Sequence, residues 1–359
     1  MTFLWYIPNT VEPGHRGDDA VAGYGTLEHS VDLARAAEEH GWAGALIGTG
    51  WGRPDTLTVA TAIAARTSTF RPLAAIRPGY WQPAHFASAA ATLDHLSGGR
   101  LLVNIVSGRD NLTAYGDAET GSARRYARTR EFMHLVRRLW TEQDVTFTGE
   151  HYRVSGSTVV PRPVGGGPRL YFGGASPAAE EVAAAEADVQ LFWGEPLEGI
   201  AGRIDRLRRL SAARELPPLE FGLRVTTLIR DTSAEAWRDA EARVATMGGR
   251  RDDRLLDRHG PAVGQQRLLD LATRGDVLDT CLYTAPGRHG GGGAGTTWLV
   301  GTADEVAHAL RRYRELGVTH FVLSDTPYRR ETARVGDALI PRLTGLDQGR
   351  EAVEQVPHT

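Results

Sequence analysis

Two polar residues lie in or next to an apolar segment, 101–106, that is typical of a buried β-strand. Asn104 lies within the segment, and Ser107 follows it directly. Because they are three residues apart, the alternation along a strand places their side chains on opposite faces. A buried amide needs a hydrogen-bond partner. Asn104 therefore either bonds within the protein or presents its amide to a heteroaromatic ligand such as a flavin or a nucleobase.

Four small residues, Gly173, Gly174, Ala175 and Ser176, join an apolar segment to an Ala/Glu-rich one. This pattern predicts a strand, a tight turn and a helix. Small side chains let backbone N–H groups approach an anion at the amino end of a helix. Ser176 is typical of the residue that caps such an end. The pattern fits a phosphate site, and it fits an ordinary capped turn as well.

Three further side chains are candidates because they lie in, or at the end of, apolar segments. Arg224 lies inside FGLRVTTLI, and a buried guanidinium requires a carboxylate or an anionic substrate beside it. Arg77 follows LAAI. Trp193 ends VQLFW, where it belongs either to the core or to the wall of a pocket. The carboxyl ends of parallel strands are where α/β folds bind ligands.

The residue patterns of several other chemistries are missing. The 12 histidines show no HxxxH or similar metal spacing, and the single cysteine, Cys281, excludes an internal disulfide and a thiolate metal cluster. The sequence has no GxSxG elbow, and glycines 290–293 match neither a P-loop nor a dinucleotide fingerprint. We therefore expect no metal site and no hydrolase chemistry.

Strands and helices alternate along the chain and must position these residues. Segment 73–108 predicts a β-α-β unit with parallel strands, because both strands are apolar on both faces. The alternation gives eight predicted strands, most of them followed by a helix. We therefore predict an α/β fold, a (β/α)8 TIM barrel with insertions. The predicted strands are 3–8, 45–48, 73–76, 101–106, 170–172, 189–193, 221–229 and 320–324.

Two segments depart from simple alternation. Residues 145–160 alternate like a hairpin with Gly149-Glu150 at its turn. Segment 248–297 is irregular, charged and then Gly-rich, which indicates a mobile lid or disorder. We expect a single domain over residues 1–345, with this mobile loop near 248–297, and a C-terminal tail at 346–359.

The composition is that of an ordinary globular protein, with 41% hydrophobic and 24% charged residues. The net charge of −3 gives no general attraction to nucleic acid or to an anionic membrane. The longest apolar segments are far shorter than the ~20 residues of a membrane span. The N-terminus lacks the basic region of a secretion signal. We expect a cytoplasmic enzyme that binds neither nucleic acid nor membrane.

Pieces of the sequence between residue 3 and about residue 344 resemble the bacterial luciferase-like flavin monooxygenases. They are most similar to the two-component FMNH2-dependent alkanesulfonate monooxygenases. Pieces matched in order over this length are far more specific than one motif. The matching pieces are LWYIP, GALIGTG with Asp55, AAIRP, AATLDHLSGGRLLVNIVSG, RRY with Glu131-Phe132, LYFGGAS, WGEP, FGLRV, VGQQR, GGAGT with LVG, and FVLS followed by RVG.

The resemblance implies a luciferase-like barrel that binds reduced FMN, which a separate NAD(P)H:flavin reductase delivers. In this family, O2 and the flavin form a C4a-(hydro)peroxyflavin that oxygenates the substrate. In the sulfonate members this cleaves a C–S bond and gives an aldehyde and sulfite. The resemblance therefore implies an organosulfur substrate and O2 as the reacting partners.

The matched positions also imply individual roles. The cofactor-binding positions would be Asp55, Asn104, Ser107, Tyr126, Gly174, Ala175 and Ser176. The phosphate would lie on Tyr126 and the small-residue turn, and the isoalloxazine near Asn104 and Ser107. Trp193 and Arg224 match the substrate pocket, and both would be catalytic together with Arg288. Segment 287–296 matches the family's mobile loop, whose arginine lies closest to Arg288.

The substrate side departs from the sulfonate enzymes at four positions. Thr10 lies where those enzymes have a His, and Arg53 lies where they have a Cys or Ser. Thr226 lies where they have a second His, and Thr326 where they have a Tyr. Pro8-Asn9 and PGYWQPA resemble the dimethyl sulfone monooxygenase branch instead. The expected substrate-pocket residues are Asn9, Arg53, Arg77, Thr226 and Thr326. A sulfone, a ketone or another carbon substrate stays open beside a sulfonate.

Two other functions also stay open. A deazaflavin (F420)-dependent oxidoreductase of the same fold would move hydride without O2, and a non-catalytic flavin-binding barrel would catalyse nothing. Predicted helices 56–66 and 83–96 are rich in Ala, Thr and Ser, and they match helices that form a dimer in the family. We therefore expect a homodimer or homotetramer.

Overall fold

Eight parallel strands close into a barrel in the computed structural model of this chain, which describes residues 1–9, 27–107, 111–117, 121–247, 263–289 and 296–354. The strands are β1 (Thr2–Ile7), β2 (Gly44–Ile47), β3 (Arg71–Ile76), β4 (Leu102–Val106), β5 (Val145–Thr148), β6 (Arg153–Ser157), β7 (Arg169–Gly173), β8 (Val189–Trp193), β9 (Glu220–Ile229), β10 (Val277–Leu278), β11 (Leu282–Tyr283), β12 (Trp298–Gly301) and β13 (Val318–Ser324). Strands β1 to β4, β7 to β9 and β13 form the barrel, each paired in parallel with its neighbours. The predicted (β/α)8 barrel is confirmed.

Helices surround the barrel and cover its outer face. They are α1 (Leu27–Glu39), α2 (Thr56–Ala64), α3 (Pro83–Ser97), α4 (Ser122–Thr141), α5 (Pro177–Glu186), α6 (Leu197–Leu210), α7 (Ser233–Met247), α8 (Val263–Arg274), α9 (Ala303–Glu315) and α10 (Tyr328–Glu354). In the part of the chain that the structure describes, no helix is long and apolar enough to cross a membrane.

Helix α10 is absent from the sequence-based prediction and crosses the domain boundary expected at residue 345. Pro341 lies inside it and weakens the helical pattern. Val335, Leu339 and Leu343 nevertheless recur every four residues, and all three are fully buried in the main core. Burial of this stripe outweighs the poor local propensity.

The interior of the barrel follows from the strand register. Asn104 pairs with Ala75 on one side and with Tyr171 on the other, so these three side chains share a face. Tyr171 Oη lies 2.9 Å from His320 Nδ1 on β13, across the barrel. That contact identifies the shared face as the interior. His320 Nε2 in turn lies 2.6 Å from Glu220 Oε2.

The segment expected to be irregular, 248–297, is ordered over its described part. Residues 263–289 contain helix α8, strands β10 and β11 and a short 3-10 turn, so the prediction of an irregular region is wrong there. Leu268, Leu271 and Ala272 are buried and give α8 its apolar side. Strand β12 pairs in parallel with the upper part of β9, from Thr226 to Ile229. Residues 290–295 of the expected lid lie outside the described residues.

The expected hairpin is present, and a carboxylate from the barrel's helical layer holds its turn. Strands β5 and β6 pair antiparallel on either side of Gly149-Glu150. Glu131 on α4 accepts hydrogen bonds from the backbone N–H groups of Glu150, His151 and Tyr152. A side chain at Gly149 would collide with that carboxylate. Glu131, part of a family-like motif, therefore has a structural role here.

Candidate active site

Asn104, the central residue of β4, brings a polar group into the barrel. Its side chain is 7% exposed, and it lies beside Tyr171 in the register. Among the described residues, none donates a hydrogen bond to its buried Oδ1 atom. The hydroxyl of Tyr171 is bonded to His320 instead. Asn104 therefore presents an acceptor toward the barrel interior, and an unmet buried acceptor is a costly feature that a ligand can satisfy.

Ser107 follows β4 and has different surroundings. Its Oγ lies 2.6 Å from Thr129 Oγ1 on α4, and its carbonyl accepts a hydrogen bond from Arg125. Asn104 and Ser107 thus point to opposite sides, in line with their spacing. Tyr126, the expected phosphate ligand, lies half-buried in the same stretch of α4.

The turn from Gly173 to Ser176 joins β7 to α5 as the sequence predicts. Ser176 is the N-cap of α5, and its Oγ accepts a hydrogen bond from Ala179 N at 3.2 Å. A side chain at Gly174 would collide with Ala179 Cβ. Glycine at this position therefore lets the turn lie close to the first turn of the helix. The four residues of the turn are partly exposed, so their backbone is accessible to an anion.

A buried ion network behind this turn was not predicted. Arg203 on α6 contacts Glu180 Oε1 at 2.9 Å and Glu195 Oε1 at 2.5 Å. Its Nη2 donates to the carbonyl of Gly174 at 2.6 Å. Arg206 also contacts Glu180. Burial alone would raise the pKa of the Glu180 carboxyl, but the two guanidiniums outweigh burial and lower this pKa below its usual value. In the sequence alone, the arginines of α6 resemble an ordinary solvent-exposed helix face, because their partner Glu180 lies on another helix.

Arg224 lies on the interior face of β9 and stacks on Tyr6 of β1. The Arg224 Cζ atom is 4.3 Å from the centroid of the Tyr6 ring. Arg53 donates from Nη1 to the carbonyl of Pro8. A side chain built at Gly48 would lie 3.2 Å from both Arg53 Nη1 and Tyr6 Oη. Arg53 and Arg224 therefore both lie close to Tyr6, a residue that no local sequence pattern singles out.

Two hydroxyl-bearing residues lie beside this cluster. Thr226 Oγ1 is 3.3 Å from Ser324 Oγ, and the two residues are register partners on β9 and β13. Both side chains are buried. They put neutral donors and acceptors next to Arg224, at the carboxyl end of the barrel.

Thr326 is buried in a charged cluster. Its Oγ1 accepts a hydrogen bond from Arg243 Nη1, which also contacts Asp325 Oδ1 at 2.5 Å. Burial raises the pKa of Asp325 to about 6, although Arg243 acts in the opposite direction. These contacts join the end of β13 to α7.

The remaining pocket candidates differ in their surroundings. Trp193 ends β8, is 37% exposed and pairs in register with Arg224, so its ring is available at the same end of the barrel. Arg77 is buried just after β3. Asn9 donates from Nδ2 to the carbonyls of Gly48 and Pro54, which ties the end of β1 to the loop after β2.

Asp55 and Arg288 are already engaged by the protein. Asp55 caps α2 and accepts hydrogen bonds from the backbone N–H and the hydroxyl of Thr58, each at 2.8 Å. Arg288 contacts Asp276 and donates to the carbonyl of Ala272 at 2.8 Å. In this arrangement Arg288 belongs to the α8 side and does not join Arg53 and Arg224 around Tyr6.

An aromatic group at the carboxyl end of the barrel was not predicted. Trp51, Tyr80 and Tyr115 come from the loops after β2, β3 and β4. The ring centroids of Tyr80 and Tyr115 are 3.9 Å apart, and those of Trp51 and Tyr115 are 4.8 Å apart. Trp51 is 50% exposed. No local pattern marks these residues, because three separate loops bring them together.

The described residues contain no group of three or more His, Cys, Asp or Glu side chains placed to hold a metal ion. Cys281 is buried, and burial raises the pKa of its thiol to about 11. A thiol with so high a pKa is a poor nucleophile at neutral pH.

Comparison with known proteins decides the family. The model of the luciferase-like monooxygenase family matches residues 1–320. This chain belongs to that family. The assignment confirms the family-level prediction and supports an oxidoreductase, while the match itself does not separate the alkanesulfonate branch from others.

Solved structures of several activities share the fold. A riboflavin lyase, determined with modified FMN and riboflavin, is 21% identical with a TM-score of 0.76, over 96% of this chain and 92% of that one. The monooxygenase RslO1 from Streptomyces bottropensis is 25% identical with a TM-score of 0.69, over 95% and 99%. The coenzyme F420-dependent tetrahydromethanopterin reductase from Methanopyrus kandleri is 19% identical with a TM-score of 0.68, over 95% and 99%.

The residues present fit a flavin. The Oδ1 of Asn104, for which the described residues supply no donor, can accept an N–H of a heteroaromatic ring. The neighbouring strand β7 leads into the glycine turn at the amino end of α5. The turn offers backbone N–H groups for a phosphate, and Ser176 adds a hydroxyl. One acceptor for a ring and one cradle for a phosphate on adjacent strands match the two ends of such a cofactor.

Proposed function

We propose that this protein is an FMNH2- and O2-dependent monooxygenase that oxygenates an organosulfur substrate, with a sulfonate as the first choice. The observation that carries the cofactor part is the buried Oδ1 of Asn104, which has no donor among the described residues and lies beside the strand that ends in the Gly173–Ser176 turn. The reduced flavin, when bound, supplies the electrons with which O2 is activated. A separate NAD(P)H:flavin reductase would deliver it.

The chain's own residues would bind and orient the reactants. Asn104 would accept a ring N–H, while Ala175 and Ser176 would bind the phosphate with Tyr126. The role of the barrel is to hold the cofactor in a fixed position and to keep water away from the reacting atoms.

The substrate part rests on the guanidiniums around Tyr6. Tyr6 supports one face of the Arg224 guanidinium, and Arg53 lies near the Tyr6 hydroxyl. A planar guanidinium binds an S–O or carboxylate group through two parallel hydrogen bonds. The cluster therefore favours an anionic or strongly polar oxidised sulfur group over a neutral alkane or ketone.

Anaerobic titration with FMNH2, reduced FAD and reduced F420 tests the cofactor, with tryptophan fluorescence as the readout. We expect FMNH2 to bind in the micromolar range, and the other two cofactors to bind more weakly. Preferred binding of reduced F420 would instead support a hydride-transferring oxidoreductase, a function found among proteins of the same fold. Absence of binding by all three would refute a flavin site.

A substrate panel tests the second part. Sulfonates, sulfones and ketones are supplied with a flavin reductase, NADH and O2, and sulfite and carbonyl products are measured. We expect sulfonates to turn over best. Turnover of neutral ketones alone would rule out the organosulfur assignment and leave the flavin assignment intact.

Variants of Arg224 make the substrate test specific. Arg224→Ala should lower kcat/KM at least about thirtyfold, equivalent to roughly 2 kcal/mol. Arg224→Lys should restore only part of this, because an ammonium cannot reproduce the two-pronged contact. Arg208→Ala is the matched control, since Arg208 stacks on Phe221 at the amino end of β9. Equal kcat/KM in Arg224→Ala and Arg208→Ala would exclude a substrate contact.

The assembly state is a further part of the proposal. Helices α2 and α3 begin with Thr56 and Pro83 and are rich in small residues, which allows close packing of helices. We propose that the protein forms a homodimer or a homotetramer through this region. A monomeric mass in light scattering at micromolar concentration would refute it.

A further inference from the structure

The turn from Gly173 to Ser176 is held from behind by two buried side chains. The carbonyl of Gly174 accepts hydrogen bonds from Arg203 Nη2 at 2.6 Å and from Gln190 Nε2 at 3.1 Å. Both donors lie on the outer side of the barrel wall. Gln190 alternates with the interior-facing Leu191, and Arg203 extends from α6.

These two bonds fix the direction of one peptide group. The Gly174–Ala175 peptide is trans, so its C=O and its N–H point in opposite directions. Because the Gly174 carbonyl is directed back toward Arg203 and Gln190, the N–H of Ala175 must be directed away from them. It therefore faces the accessible side of the turn, at the amino end of α5.

Arg203 is itself rigidly positioned. Its Nε and Nη1 atoms contact Glu180 and Glu195, its Cζ atom lies 4.7 Å from the centroid of the Phe192 ring, and it is almost fully buried. A guanidinium engaged on all its edges cannot turn toward a ligand. It can only act through the backbone that it holds.

We propose that Arg203, assisted by Gln190, is a positioning residue that sets the affinity for the phosphate of the cofactor without touching it. This inference rests on the proposed function, because it assumes that a flavin phosphate lies at the Gly173–Ser176 turn. Asn104 Oδ1, on the adjacent strand, finds no donor in the described part of the chain, and this independently indicates a ligand inside the barrel. Loss of Arg203 leaves the Gly174 carbonyl with the Gln190 hydrogen bond alone, so the direction of the Ala175 N–H is held less firmly.

Binding of FMN and riboflavin to the full-length protein separates this role from general damage, since riboflavin lacks the phosphate. Dissociation constants are measured by fluorescence titration for the wild type, Arg203→Met and Arg206→Met. Arg206 is the matched control, because it contacts the same Glu180 from the same helix but is 44% exposed. Wild-type protein should bind FMN more tightly than riboflavin.

In Arg203→Met we expect the preference for FMN over riboflavin to fall about tenfold or more, as for the loss of a charge-assisted hydrogen bond. The affinity for riboflavin should stay within about twofold of wild type, and Arg206→Met should keep the full preference. An unchanged FMN preference in Arg203→Met would overturn the inference. Equal weakening of both flavins would also overturn it, because it would indicate a purely structural role.

Gln190→Leu provides a second variant of similar shape, in case Arg203→Met does not fold. It removes the other donor to the Gly174 carbonyl and should lower the FMN preference by a smaller factor of about threefold. Unchanged preference in Gln190→Leu would then overturn the inference. The proposed function fails separately: in that case the wild type itself would bind neither flavin.

Discussion

Replacement of Asn104 by leucine should change stability and ligand affinity in opposite directions. Leucine has nearly the same shape as asparagine but no polar atoms. Without ligand, the buried Oδ1 of Asn104 has no donor among the described residues. An unmet buried acceptor costs about 1–3 kcal/mol, so Asn104→Leu should stabilise the ligand-free protein by roughly 1 kcal/mol after allowance for relaxation.

The same substitution should weaken the binding of FMN. The variant loses one hydrogen bond to the flavin ring, worth about 0.5–1.5 kcal/mol, which corresponds to roughly two- to tenfold in Kd. Urea unfolding of the ligand-free protein and fluorescence titration with FMN measure the two effects. The Kd for riboflavin should rise by the same factor as the Kd for FMN, because Asn104 contacts the ring and not the phosphate.

Thr227→Val is the matched control. Thr227 Oγ1 is likewise buried without a partner in the described part of the chain, but its side chain alternates with that of Thr226 and lies on the outer face of β9. Thr227→Val should stabilise the protein in the same way, and it should leave the affinities for FMN and riboflavin unchanged. If Asn104→Leu destabilises the protein and binds FMN normally, Asn104 is a structural amide and the reasoning is wrong.

Three other substitutions test the described contacts. Tyr171→Phe should destabilise the protein by about 1–3 kcal/mol in urea unfolding, because the buried His320 Nδ1 loses its donor; an unchanged midpoint would contradict the cross-barrel hydrogen bond. Arg100→Met should lower the free energy of unfolding by about 3 kcal/mol, since Arg100 donates to the carbonyls of Ala64, Phe70 and Ser97. Arg66→Met, which removes one exposed hydrogen bond, is the control. Burial raises the pKa of Glu186 to about 7, so the folded state holds a proton that the unfolded state has lost, and this term lowers stability as pH rises from about 4.5 to 7. Glu186→Gln should therefore be more stable than wild type at pH 8 by up to roughly 3 kcal/mol and equally stable near pH 4, and parallel pH profiles would exclude this assignment.

The sequence predicts the barrel well because its strands are apolar on both faces and are separated by amphipathic helices. The register shows why: residues such as Leu102 and Ile105 are fully buried on either side of β4. The expected N-cap at Ser176 and the hairpin at residues 145–160 are also confirmed. Both depend on residues that are close together in the sequence.

Long-range partners could not be predicted. Arg203 meets Glu180 and Glu195 only after α5 and α6 pack together, and Tyr6 acquires its significance from Arg224, more than 200 residues away. The order in 263–289 was missed because its charged and Gly-rich flanks dominated the pattern. The assignment of site residues to a cofactor stays a prediction.

The hydrogen bond between Tyr171 and His320 has a consequence for the size of molecule that the barrel can accept. It spans the interior between β7 and β13 at the level of Asn104, and both side chains are almost completely buried. These two hydrogen-bonded side chains would form a floor beneath a guest that enters from the carboxyl ends of the strands. A longer guest must extend outward, past Trp51 and Tyr115. Tolerance for chain length is then a property of the loops alone, and loops can be exchanged without rebuilding the barrel beneath them.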